Sequence, residues 1–336
     1  METIEAWAEQ MVQGAHEPHI FHTLCCASEF SNIKVREEEM EELDQLQALC
    51  KFPVRGGLAD KEGKTNVLMQ AYIIRAPLKA FALVSDTMFI AQSASRLARG
   101  LFEMTLGKGW IGYAEKALRI AKMLERRVWG HQLALRQIGN QPEYLYQKLE
   151  EKRARVDTLR ELSTSEVGAL ISNQRQAQSI KAEAQQLPHL ELAVSAQPIT
   201  RTVLRVTLTI TADFEWSEKL HGSIEPWHVW LEDTENEHLY HKELWQLHKL
   251  RRDEPQTLTF TIPLFEPLPP QYYVRAISDR WLGCEAIAPL PLDEITLPSI
   301  APAHTTLLDL RPLPRSAVGN PQWEKVWRYP YPYPYP

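Results

Sequence analysis

The chain has 336 residues, 44% of them hydrophobic, with 37 Lys and Arg against 43 Asp and Glu and a net charge of −6. That length holds two or three modest domains with a sizeable core, and the mildly acidic balance excludes a grip on nucleic acid by the whole surface. Four cysteines, at 25, 26, 50 and 284, form no CxxC pair and no secreted disulfide framework, which points to a reducing compartment, cytosol or nucleus.

No apolar run reaches the length of a membrane span, and Met1–Gly14 is acidic and amphipathic rather than signal-like. Charge is uneven. Between Arg75 and Arg136 there are eleven Lys and Arg and four Asp and Glu, a net of +7. The remainder carries about −13, so one basic element sits on an acidic body.

In chain order, residues 1–24 read as a lead-in, helical or frayed and partly disordered. The charge run Glu37–Asp44 carries Met40, Leu43, Leu46 and Leu49 at helical spacing, a solvated face over an apolar stripe. Pro53–Gly63 reads as a loop, and helical patterning resumes at Asn66 and continues to about Pro77. A long amphipathic helix is predicted over Leu78–Lys108, stopped by Gly107 and Gly109, and another over Ile111–Trp129. Gly130 and the Gly139–Pro142 stretch break the chain before helices over Glu143–Glu161 and Ser165–Gln186, the latter started by the hydroxyls of Ser163–Ser165.

At Pro188 the character changes. Leu204, Val206, Leu208 and Ile210 alternate with polar residues, as do Trp227, Val229 and Leu231, then Leu258, Phe260 and Ile262, the period of half-buried strands. Pro267, Pro269 and Pro270 stiffen a corner that cannot lie inside a sheet. It feeds a strand over Tyr272–Ser278, a polar turn and an anchoring Trp281. Helices first and strands second predict an α+β multidomain chain with a β-sandwich in its second half. Residues 299–336 form a Pro-rich extension ending in Tyr-Pro repeats, compositionally polyproline-like.

Candidate chemistry is sparse. Gly57–Thr65 nearly spells a phosphate-binding P-loop, but Leu58 stands where the first glycine belongs and no apolar strand precedes it, so a solvent-exposed loop is the expectation. His16, His19, His22 and Cys25 recur every third residue, yet Pro18 interrupts them and zinc ligands come from separated pairs. The histidines at 221, 228, 238, 241 and 248 read as surface or packing residues. No catalytic residues, metal ligands or cofactor are expected. The basic helices are the better signal. Gln92, Arg96 and Arg99 follow i, i+4, i+7 spacing with Ser93 beside them, a set suited to phosphates, base edges and 2′-hydroxyls of single-stranded RNA. On the next helix Arg119, Lys122 and Arg126 also line one face.

Several segments carry a family resemblance: Ala27–Glu39, Asn66–Ala71, Gln92–Arg96, Leu135–Gln137, Gln197–Arg201, Phe214–Trp216, His221-Gly222 and Leu307–Pro314. From about Leu24 to Gly319 the chain resembles the Sec-sixty-three homology unit of large Ski-two-like RNA helicases. Within that family it is most similar to the amino-terminal cassette of a spliceosomal-type helicase, with the equivalent unit of an activating-signal cointegrator complex helicase as the alternative.

The resemblance implies a helical bundle with a long ratchet helix over 25–138, a small helix-loop-helix domain over 139–190 and an immunoglobulin-like, fibronectin type III sandwich over 191–298. It implies that the 78–108 helix passes beneath nucleic acid, with Gln92, Ser93, Arg96 and Arg99 toward single-stranded RNA, bound weakly. The implied protein partners are helicase motor domains in cis or in trans and splicing factors in the nucleus, without a membrane. A pure protein-interaction scaffold is the competing reading.

Departures from the family pattern matter as well. The motor domains and winged helix that normally precede this unit are absent from the sequence, so an enzyme is not expected. The loop Ser172–Ala177 lacks the Pro and Gly of relatives. Ser95 stands where relatives often carry glycine, which would crowd a close backbone approach.

Overall fold

The structure, a computed structural model, describes residues 3, 4, 7, 10–293, 295–298, 317 and 319–322. Met1–Leu297 form one compact unit and Pro298–Pro336 a second. In the first unit the helices are α1 (Glu17–Cys25), α2 (Met40–Gln47), α3 (Lys61–Ile74), α4 (Phe81–Gly107), α5 (Ile111–Arg126), α6 (Glu143–Glu151), α7 (Val156–Glu161), α8 (Thr164–Ile171), α9 (Gln174–Gln186) and the short α10 (Glu218–His221). The strands are β1 (Leu190–Thr200), β2 (Val203–Ala212), β3 (Ile224–Asp233), β4 (His238–His248), β5 (Gln256–Pro263), β6 (Gln271–Ser278) and β7 (Glu285–Pro291). The chain is α+β, as the sequence predicts. The Tyr-Pro tail lies outside the described residues.

The long helix α4 runs 27 residues because apolar residues recur at three- and four-residue intervals: Leu83, Ile90, Ala94, Leu97, Leu101 and Phe102 are all buried. On α5 the buried Ala114, Ala117 and Ala121 are small enough to let the antiparallel α4 and α5 lie close together. α3 and α5 end alike. Each terminates at an arginine in the left-handed region, Arg75 at φ 57° and Arg127 at φ 53°, a position glycine usually takes.

Two expected helices divide. The first breaks at Arg153, φ 52°, into α6 and α7, and the second at Ser172, φ 53°, into α8 and α9. At each break the freed carbonyls are recaptured, by Ala154 N on Leu149 O and by Asn173 N on Gly168 O. α8 opens with a capping box between Ser163 and Glu166, so the predicted hydroxyl cap is in place.

The predicted Gly57–Thr65 loop is corrected: α3 begins at Lys61. A Cβ on Gly63 would lie 2.2 Å from the Gly57 carbonyl oxygen, so that glycine serves close packing of helix on chain. Lys64 is fully buried, donating to Glu39 (2.5 Å), Asp86 (2.6 Å) and the Lys34 carbonyl (2.8 Å). Glu39 thereby leaves the solvated face on which the charge run places it, and is 2% exposed. Removing one partner of such a buried pair costs about 3–5 kcal/mol, because the other charge is left uncompensated.

The strands form two antiparallel sheets, β1-β2-β5 and β4-β3-β6-β7. Leu204, Val206, Leu208 and Ile210 of one share a core with Trp227, Val229, Tyr272, Val274 and Ala276 of the other. The opposite face of the four-stranded sheet is buried too: Trp230 and Ile277 belong to the core of the helical bundle. At roughly 25 cal/mol per Å², burying a tryptophan contributes on the order of 4 kcal/mol, so Trp230 is a substantial bond between the two halves. Burial on both faces gives β3 a nearly continuous buried pattern rather than an alternating one. Strands β1, β4 and β7 go beyond those expected. Each is an edge strand, and their exposed positions dilute the apolar signal. Among the described residues no helix is long and apolar enough to cross a membrane.

Candidate nucleic-acid interface

The outward side of α4 is the one long helical surface that the sequence assigns to RNA. Gln92 and Arg96 are exposed on it, four residues apart and therefore adjacent, with Ser93 half-buried at their side. Among the described residues the Arg96 side chain has no hydrogen-bond or ion-pair partner. Toward the helix start the same surface turns apolar, with Phe81 86%, Met88 54% and Phe89 43% exposed.

Arg99 is placed differently. Its Nε and Nη2 bond the Glu125 carboxylate at 2.7 and 2.9 Å, and Nη1 bonds Asp279 Oδ1 at 2.7 Å. The Asp279 carbonyl accepts from Nη2 at 3.1 Å. The hydrogen bonds to Glu125 raise the Arg99 pKa above its usual value, against the effect of burial. Burial alone would push Asp279 up, but His228 at 2.8 Å and Arg99 hold it at about 2. The structure thus brings Gln92, Ser93 and Arg96 together in the open, whereas Arg99 is a brace joining α4, α5 and the β6–β7 turn. Ser95 donates to Glu125 at 2.6 Å, so its side chain lies toward α5 and away from the surface it was expected to crowd.

A second brace holds α4 nearer its start, where Asp86 accepts from buried Lys64 at 2.6 Å and from Arg36 at 3.3 Å.

The cationic face of α5 is inverted relative to expectation. Lys122 is fully within the protein, donating to the Ser278 and Trp281 carbonyls at 2.9 and 3.1 Å, and burial lowers its pKa to about 8. Arg126 donates to the Arg280 carbonyl and lies 4.0 Å over the Trp281 ring. Arg119 pairs with Glu17 and Glu115. All three therefore bind protein. Gln137 adds two hydrogen bonds to Leu282, at 2.8 and 2.9 Å. The turn between β6 and β7, read from sequence only as a polar link to an anchoring tryptophan, is where the helical bundle is fastened.

The remaining candidates resolve into structural roles. Lys64 is a buried ion-pair hub, with no room for a P-loop function. His19 bonds the Gln10 carbonyl and Arg55, and His22 faces Cys26 Sγ at 3.8 Å. Among the described residues no group of three or more His, Cys, Asp or Glu could hold a metal. His221 is buried between the Gln186 carbonyl and Ser217 N, and burial lowers its pKa to about 4.

Comparison with known proteins gives one consistent answer. A family model, the Sec63 Brl domain, matches residues 1–291. The chain is similar to the activating signal cointegrator 1 complex subunit 3 of Gallus gallus, 43% identical over 331 residues, covering 97% of this chain and 15% of that protein. It is similar to a DExH-box ATP-dependent RNA helicase of Arabidopsis thaliana, 41% identical over 97% of this chain and 15% of that protein. With the U5 small nuclear ribonucleoprotein 200 kDa helicase of Homo sapiens it shares 39% identity, over 97% of this chain and 15% of that protein. The chain thus spans about 15% of the length of the curated relatives it matches. Identity ranks the cointegrator subunit slightly ahead of the spliceosomal helicase.

Proposed function

This chain belongs to the Sec63 Brl domain family, a helicase accessory region, and from that premise we propose that it guides single-stranded RNA along the outer side of α4. In this reading α4 is the ratchet helix, Arg96 takes a phosphate, Gln92 and Ser93 bond base edges or 2′-hydroxyls, and Arg99 sets the helix in place. The unit is non-catalytic. The chemistry belongs to motor domains supplied in cis or in trans, as expected of a part that spans 15% of helicase relatives. The helix-loop-helix domain is α6–α9, and the two sheets are the immunoglobulin-like sandwich, which docks partner proteins in the nucleus, splicing factors among them. The cointegrator-complex setting stands beside the spliceosomal one, because the likeness to each relative covers 97% of the chain.

One observation carries the reading. Of the cations between Arg75 and Arg136, most are spent on carboxylates and carbonyls inside the protein, yet Arg96 stands exposed on the helix that two braces hold fixed. The test is binding of a labelled oligouridine at low salt. Arg96→Ala is expected to weaken it about tenfold and to lower the log–log salt slope by about one.

A second reading has its own observation. Exposed Phe81, Met88 and Phe89 on the same side of α4 suit a protein partner, which would make the unit a scaffold without RNA. No oligouridine binding at low salt would decide for the scaffold.

A further inference from the structure

A cleft of about 270 Å³ opens where α3 and α5 end, and the segment leading to α6 closes it. Arg75, Arg127, Trp129, Gln132, Arg136 and Tyr146 line it. Arg75 and Arg127 are the two left-handed residues that terminate α3 and α5. Glycine is the economical choice at such a position, since an L-residue there is strained by its Cβ. Both positions instead carry a guanidinium, and both border the same cavity.

Neither guanidinium is used up. Among the described residues the Arg75 side chain has no hydrogen-bond or ion-pair partner and is exposed. Arg127 spends only Nε, on the Tyr72 carbonyl at 2.9 Å, with its plane 4.4 Å from the Tyr72 ring, which leaves both terminal nitrogens. Arg136 is outweighed, one guanidinium bonding the two carboxylates of Glu143 and Glu150 through Nε, Nη1 and Nη2, so that Arg75 and Arg127 leave the group a net charge of +1. The rim carboxylate of Glu143 is thereby occupied as well. The surplus of positive charge in the cleft comes from Arg75 and Arg127. Gln132 accepts from Trp129 N through Oε1, and among the described residues its amide nitrogen has no partner.

We propose that this cleft binds a phosphate of the same RNA strand, as a second contact beyond the exposed side of α4. The inference rests on the RNA reading of that helix. Planar guanidinia match a phosphate's oxygens in pairs, and a volume of about 270 Å³ holds a phosphate together with several waters, each of which takes about 30 Å³. Arg127, on the cleft, lies two residues beyond Glu125, which bonds Ser95 and Arg99 of α4, so the cleft stands level with the middle of that helix, the stretch that carries Gln92 and Arg96. A strand long enough to leave Gln92 and Arg96 toward the ends of α3 and α5 reaches it.

The test uses the full chain and two labelled oligouridines at low salt, one long enough only for the α4 surface and one roughly twice as long. Arg75→Gly removes the guanidinium and suits the left-handed backbone, so the fold is retained. Arg127→Lys keeps the charge and loses the fork. The proposal expects Arg75→Gly to weaken the long oligomer about tenfold, to lower its salt slope by about one, and to leave the short one unchanged. Arg127→Lys is expected to weaken the long oligomer alone, by less. Arg96→Ala should weaken both.

Wild-type affinity of Arg75→Gly for the long oligomer, with Arg96→Ala still impaired, would overturn the cleft and leave the α4 reading standing. Loss of both oligomers' binding to the wild-type chain would sink the α4 reading and the cleft with it. Pyrophosphate is the control for source: thermal stabilisation that vanishes in Arg75→Gly, without any effect on either oligomer, would assign the cleft to a free phosphoanion and overturn the RNA assignment.

Discussion

α4 and α5 lie side by side, and each carries cations at helical spacing, yet they use them in opposite ways. On α5 Arg119, Lys122 and Arg126 are turned to carboxylates, carbonyls and a tryptophan ring. On α4 Arg96 is exposed while Arg99, one turn on, is clamped between Glu125 and Asp279. Spacing finds a shared face but not what the face meets. Whether a cationic stripe is a binding surface or an internal fastening depends on residues far away in sequence, here those of the β6–β7 turn.

The sharpest way to separate the two helices is to cut the fastening. Lys122→Ala should cost about 3 kcal/mol in a urea titration, since it leaves a cavity and two carbonyls without donors. Lys122→Met, which fills the volume and removes a buried charge, should cost less than half as much. RNA affinity of the folded fraction should not change in either.

Arg99→Ala comes next, with a loss of about 2 kcal/mol as Glu125 and Asp279 lose charge-assisted bonds. Its effect on RNA affinity should be smaller than that of Arg96→Ala. An equal or greater effect would put Arg99 on the RNA.

Acid–base titration gives a subtler contrast. The Lys122 pKa is lowered from 10.5 to about 8, so the folded protein favours the neutral amine. The unfolded chain then binds more protons between those values, and stability rises with pH from about 8 to 10.5. That contribution is lost as pH falls through 8. Chemical denaturation across this range should show the rise in the wild type and not in Lys122→Met.

The smallest expected effect is that of Gln92→Ala: RNA affinity reduced about threefold and stability changed by less than about 0.5 kcal/mol.

Much of this was legible in the sequence where a period or a cap writes itself locally. The buried stripe of α4, the Ser163–Glu166 box and the alternation of β2 and β6 all follow from neighbours a few residues apart. The divisions at Arg153 and Ser172 were not, because neither residue advertises a left-handed turn as glycine does. That Gln92 and Arg96 share one face of α4 was readable from spacing. The capture of Arg99 by Asp279 was not, since the two are 180 residues apart and meet only through sheet packing. The same holds for Lys64, whose segment reads as a solvent-exposed loop and whose partners turned out to be Glu39 and Asp86.

The two braces on α4 also have a mechanical consequence. Lys64 grips Asp86 close to one end, and Glu125 with Asp279 grips Arg99 about two-thirds of the way along, so the helix is a beam clamped at two separated points. A pull along a strand lying on it would not roll or tilt the beam. On the RNA reading proposed above, that load would pass through the second clamp into the four-stranded sheet.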